Sequence, residues 1–197
     1  MAQDLHSGLI NNIRRYVDFL DEEADRIVQI AHPSIIKKKE RIDEPGKTSN
    51  YRNYVVSGAF RSFFIDEEGK EHTVQIAVDD WFVSDFYSYV TRTPATLFVE
   101  ALEESTILQM HYDDIEPLCN KLHNLSEYFR KSTERAFAFS RNRALSNISK
   151  SAEDRYTEFL QRYPNIIDRV PQYIVASYLG MSPEFLSKIR ARHSRIS

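Results

Sequence analysis

Between Pro33 and His111 the hydrophobic period of this chain is that of short strands, and on either side it is that of helices. Ahead of that stretch, Leu5, Leu9, Ile10, Ile13 and Val17, then Leu20, Ala24, Ile27, Val28 and Ala31, recur at helical spacing, and Pro33 is expected to stop the run. Within it, residues 34–40, 54–65, 71–78, 81–86, 96–103 and 105–111 are rich in β-branched and aromatic side chains and separated by turn signals. Glu44-Pro45-Gly46, Ser57-Gly58 and the hairpin loop 66–70 are the clearest turns, the last with Gly69 supplying positive φ. So many short strands must close on one another to hide their edges, which predicts an antiparallel jelly roll in an α+β chain.

From Asp113 the pattern is helical again. Leu118, Leu122, Leu125, Phe129, Ser132, Ala136, Phe139 and Arg143 follow alternating steps of four and three. Such a seam fits a paired helix better than one packed only on its own barrel, which needs few such positions. Leu122, Leu125, Phe129, Ala136 and Phe139 are therefore the expected dimer contacts. A further amphipathic helix follows over 151–163.

Composition bounds the chemistry. The 197 residues are 42% hydrophobic and 28% charged, with only 5 Gly and 7 Pro, as in a folded chain. One cysteine, Cys119, excludes an intrachain disulfide, a CxxC pair and a cysteine-held iron–sulfur cluster, and it reads as a small helix residue, not a sensor. No apolar run is long enough to span a bilayer and the opening MAQDLHSGL has no signal pattern, so a cytoplasmic location with no membrane partner is expected. Charge is uneven: residues 1–124 carry 13 basic and 22 acidic groups, residues 125–197 carry 13 basic and 7 acidic. A basic C-terminal module beside an acidic one suggests a polyanionic partner.

The most specific stretch is 172–191, QYIVASYLGMSPEFLSKIRA. Val175, Leu179, Met181, Leu186 and Ile189 are apolar, small Ala176 suits a close helix crossing, and Gly180 suits a turn needing positive φ. Ser182 is a good N-cap, Pro183 belongs at the first helical position, and Glu184 complements the helix dipole. This is helix-turn-helix spacing, with helices over 171–179 and 183–192. With Phe185, Leu186 and Ile189 taken as buried, Ser182, Glu184, Ser187, Lys188, Arg190 and Arg192 are left to face double-stranded DNA. Arg190, Arg192 and Arg195 are the candidates for phosphate contacts.

Helices, jelly roll, seam helix and helix-turn-helix in this order resemble the Crp/Fnr family, the cyclic-AMP receptor protein type of regulator. The resemblance covers nearly the whole chain and rests on Tyr54-Val55-Val56-Ser57-Gly58, the hairpin Asp66-Glu67-Glu68-Gly69-Lys70-Glu71, and SYLGMSPEFLSKIR. It implies a cyclic-nucleotide-binding-like jelly-roll domain over 1–112, a dimerisation helix over 113–150 and a winged-helix-like head over 151–197 whose wing is reduced. It also implies a homodimeric transcription regulator reading a palindromic operator, with RNA polymerase as a candidate partner.

The departures are specific. Where the family's cassette places Gly-Glu for ribose and Arg-Ser for phosphate, this chain has Ser84 and Thr93-Pro94, with Arg92 one step away. Asp79, Asp80 and Asp85 add negative charge there, so control by cyclic AMP is not expected. Trp81, Ser84, Tyr87, Arg92 and Thr93 mark the position of an effector pocket of unspecified ligand. No metal or cofactor is expected, and no histidine stands out as a haem ligand. Pro183, Glu184 and Lys188 replace the Arg-Glu and later Arg of the familiar operator readers, so the operator does not transfer. Two other classes compete. A cupin enzyme needs a facial histidine set, whereas His72 and His111 stand isolated on different strands; a dimeric ligand-binding or interaction module would lack salt-dependent DNA affinity.

Overall fold

A computed structural model describes residues 2–163 and 166–193. Helices α1 (Ala2–Arg14) and α2 (Asp21–Ile30) precede eight strands: β1 Ala31–Ile36, β2 Arg41–Asp43, β3 Tyr51–Ser57, β4 Ala59–Ile65, β5 Glu71–Val78, β6 Phe82–Val83, β7 Phe98–Ala101 and β8 Ser105–His111. They form two four-stranded antiparallel sheets, ordered β1-β8-β3-β6 and β2-β7-β4-β5. Helix α3 (Phe86–Thr91) interrupts the strands, and α4 (Tyr112–Lys121), α5 (His123–Ser149), α6 (Ala152–Arg162), α7 (Gln172–Tyr178) and α8 (Pro183–His193) follow. Among the described residues no strand follows His111.

Several expected elements shift for identifiable reasons. Pro33 lies inside β1 instead of ending a helix, opposite Leu108; β1 is an edge strand, where a missing N–H costs nothing. The expected strand over 81–86 shrinks to two residues, and the aromatic-rich 86–91 segment is helical because the Asp85 carboxylate caps it, accepting the Ser88 N–H at 3.1 Å. Gly58 (φ +125°) turns β3 into β4 where any Cβ would overlap Ser105. In the hairpin loop, Asp66 accepts the N–H groups of Glu68 and Lys70 at 3.0 and 2.9 Å.

Among the described residues, three cores hold the molecule. Val55, Phe60, Ala77, Val99 and Ile107 fill the sandwich between the sheets. On the outer face of the first sheet, Tyr54, Leu108 and Met110 pack against α1, α2, α4 and α5. On the outer face of the second, Ala59, Ile76 and Leu102 share a core with Tyr156, Phe159, Ile174 and Val175 of the C-terminal helices. The head is thus seated on its own jelly roll.

Candidate nucleic-acid interface

The head is built from α6, α7 and α8. Ile174, Val175 and Ala176 of α7 and Leu186 and Ile189 of α8 are buried together with Tyr156 and Phe159. Between α7 and α8, Gly180 takes φ +68° and the Met181 N–H closes the turn on the Ala176 carbonyl at 3.0 Å. Ser182 Oγ then accepts the Phe185 N–H at 3.2 Å, capping α8. The helix-turn-helix spacing read from the sequence is realised in these bonds.

With Leu186 and Ile189 turned inward, Ser182, Glu184, Ser187 and Lys188 are exposed on α8. The Glu184 carboxyl is held below its ordinary range by its own backbone N–H and then by the Ser182 hydroxyl, so it is an ionised acceptor at neutral pH. One expectation changes. Phe185, expected in the core, is 43% exposed beside Glu184. The expected phosphate contacts have partners in the head: Arg190 is half-buried and donates to Gln172 Oε1 at 3.2 Å, and Arg192, its side chain 71% exposed, reaches Glu153 at 3.2 Å. Arg195 lies outside the described residues.

The expected effector residues converge only in part, and Trp81, Ser84, Arg92 and Thr93 have partners within the chain. Trp81 lies against Tyr163 of the head, ring centres 5.5 Å apart. Ser84 Oγ donates to the Tyr51 carbonyl at 2.7 Å and accepts from Asn53 Nδ2 at 3.2 Å. Tyr87 projects into solvent, 67% exposed. Arg92, in left-handed backbone geometry (φ 57°), donates to the Ser49 carbonyl at 3.0 Å and to Asn50 Oδ1 at 2.5 Å, and covers the Tyr112 ring at 4.1 Å. The Thr93 hydroxyl pairs with that of Thr91. Asp85 is buried, and its carboxylate accepts from the Ser88, Thr96 and Leu97 N–H groups. A cleft of about 160 Å³ nearby is lined by Arg41, Asp43, Lys47, Asn50 and Tyr51 among others, and by none of the five expected residues.

No family model matches the chain. The fumarate and nitrate reduction regulatory protein of Yersinia pestis is 21% identical over 188 residues, covering 88% of this chain and 72% of that protein. Among solved structures, FixK2 from Bradyrhizobium japonicum superposes with a TM-score of 0.73 at 18% identity, covering 84% of this chain and 86% of that one. A putative transcriptional regulator of the Crp/Fnr family from Eubacterium rectale does so at 0.66 and 16% identity, over 91% and 85%. The chain shares the fold of these solved structures, one of which is described as a regulator of the Crp/Fnr family.

Within this Crp/Fnr fold the connecting helix departs from the seam expected of it. The rod breaks at Leu122 (φ −115°, ψ 99°), so α4 and α5 are separate helices. Leu122, Leu125 and Phe129 are buried in the chain's own core, against α1, α2 and the first sheet, and are not open to a partner. Ala136 and Phe139 are exposed, but their row faces the head: Arg162 lies 3.6 Å over the Phe139 ring, and Arg143 donates to the Val74 carbonyl and covers the Tyr178 ring at 4.2 Å. The apolar stripe left to solvent is another one. Phe137, Ala144 and Ile148 recur at steps of seven and four, with Leu145 beside them, and Phe137, Leu145 and Ile148 are 61%, 61% and 86% exposed.

Arg169 is a residue that sequence reasoning missed. Its guanidinium binds Asp79 Oδ2 at 2.7 Å, Glu103 Oε1 at 2.6 Å and the Gly58 carbonyl at 2.8 Å, tying the head to the jelly roll. Ser177 adds a second tie, accepting the Thr73 N–H at 2.9 Å and donating to the Glu71 carbonyl at 3.1 Å. Gln172 is a third omission, since it fixes the guanidinium of Arg190.

Proposed function

We propose that the protein is a homodimeric DNA-binding transcription regulator that places two copies of α8 in successive major grooves of a palindromic operator. The observation that carries this reading is α8 itself: it is capped by Ser182, anchored by Leu186 and Ile189, and bears Glu184, Ser187 and Lys188 on its open side. A carboxylate there accepts from cytosine N4 and an ammonium donates to guanine. The relatives support the class, as proteins named for the regulation of fumarate and nitrate reduction and for transcriptional regulation.

The exposed stripe of Phe137, Ala144, Leu145 and Ile148 supplies the surface for a second copy, since a lone helix in water does not leave three large apolar side chains open without a partner or a cost. Cyclic AMP is not the controlling ligand in this reading. Asp85 already neutralises the N–H groups that would receive a phosphate, and Arg92 is committed to Ser49, Asn50 and Tyr112.

Titration of the full chain with duplex DNA at several salt concentrations tests the proposal. Affinity that falls steeply with log salt, with one dimer per duplex, is the expected result. Affinity that does not respond to salt would favour an interaction module that never engages DNA.

A further inference from the structure

If α8 enters the major groove as proposed, one of its residues is an apolar reader. We infer that Phe185 contacts a thymine C5-methyl group in each half-site, and so fixes a T·A pair that the polar residues do not specify.

The inference starts from what remains free on the helix. Arg190 and Arg192 are turned to Gln172 and Glu153, which leaves Glu184, Phe185, Ser187 and Lys188 as the outward side chains of the first turn and a half. Base-edge contacts of a recognition helix come from this N-terminal part. Glu184, Ser187 and Lys188 are hydrogen-bonding groups. Phe185 is not, yet it is 43% exposed although Leu186, its neighbour, is 1% exposed. A large aromatic left half in water on the face that meets DNA has one complementary apolar feature in the major groove, the thymine methyl.

Its placement is also rigid. The Phe185 N–H is the donor to the Ser182 cap at 3.2 Å, so its Cα is fixed at the first turn. Pro183, two residues before it, fixes the backbone of the first turn and carries no N–H of its own. Phe185 is one residue from Glu184 and three from Lys188, which sets the ring on the flank of the polar pair. The thymine it meets then neighbours the base pair read by Glu184 and Lys188.

Replacing thymine by deoxyuracil removes only the methyl and keeps every hydrogen-bonding group. The experiment takes the duplex selected by the full chain from random sequence and substitutes each thymine singly, in both half-sites. The wild-type protein is expected to lose about fourfold in affinity per half-site at one thymine, the size of one methyl withdrawn from a dry contact, and Phe185→Ala is expected to be indifferent to that same substitution. Wild-type binding insensitive to every uracil, or an equal loss in wild type and F185A, overturns the inference while the regulator reading stands. Should F185A not fold, Phe185→Gln, polar and of similar reach on this half-exposed position, is measured in its place, and an undiminished methyl dependence again overturns it. Failure of the wild-type chain to bind any duplex with salt dependence overturns the regulator reading and this inference with it.

Discussion

Arg169 and Asp79 join the two ends of the molecule through one guanidinium. Asp79 Oδ1 accepts the Gly58 N–H at 2.7 Å while its Oδ2 takes Arg169, and Arg169 returns to the Gly58 carbonyl, so a glycine turn of the jelly roll and the segment leading into α7 share a closed ring of bonds. The pair is only partly shielded, with Arg169 29% and Asp79 46% exposed, and its own worth is about 1 kcal/mol or less. The consequence of cutting it lies in mobility more than stability. Arg169→Ala is expected to leave the jelly roll intact and to raise amide hydrogen exchange in 166–177 and β5 together; exchange rising in the head alone would show that the tie does not couple them.

One residue further on, Asp80 does the same for the other side. Its carboxylate accepts from Tyr54 at 2.7 Å, from Asn12 at 2.8 Å and from Arg15, and the Asn12 amide is in turn fixed by Tyr128 of α5 at 2.7 Å. Burial pushes the Asp80 carboxyl up, but these three donors outweigh it and its pKa lies below the ordinary value. A carboxyl whose folded pKa is depressed contributes stability above its unfolded pKa and loses it as pH falls through the folded one. Melting temperature should therefore drop below about pH 4, and Asp80→Asn, costing about 1–2 kcal/mol at neutral pH, should show a shallower acid limb. Parallel acid limbs in the two proteins would remove Asp80 from the account.

The two halves of the connecting helix make opposite predictions. Leu125 is fully buried in the chain's own core, so Leu125→Ala should cost about 2–5 kcal/mol of folding stability. Ile148 is 86% exposed, so Ile148→Glu should leave the melting temperature of the protomer nearly unchanged while light scattering shows the dimer lost. A dimer that survives both Ile148→Glu and Phe137→Glu would place the subunit contact elsewhere.

The fates of these residues show what a sequence can and cannot carry. The turn of Gly180, Ser182 and Pro183 was legible because each acts within three or four residues, through φ, a cap and a missing N–H. The strands were legible from alternation, but α3 was not: its aromatic residues favour strand, and the Asp85 cap that accepts the Ser88 N–H is itself held by the N–H groups of Thr96 and Leu97 eleven and twelve residues away. The seam misled for a similar reason. Its alternating steps run unbroken through Leu122, where the backbone leaves helical geometry, and periodicity does not say which protomer covers a stripe. Pro117 does not mark the break either, since α4 runs through it and ends only at Lys121. Phe185 and Arg169 depend on where the head sits, which no local pattern encodes.

Cys119 allows a test of the packing around α4. Burial pushes its thiol up to about 11, helped by the charge of Glu116, and its side chain is half-buried against the helical core. The thiolate is the reactive form, so at pH 7.5 only a very small fraction of the native protein is primed to react, against several per cent of an ordinary cysteine. Disulfide reagents should label native protein at least tenfold more slowly than protein unfolded in guanidinium. The sign follows from the direction of the shift: labelling of the native form should keep rising with pH beyond the range where that of the unfolded chain levels off. Native labelling as fast as unfolded would mean that α4 opens readily from the first sheet, and that Leu122, Leu125 and Phe129 are available to a partner after all.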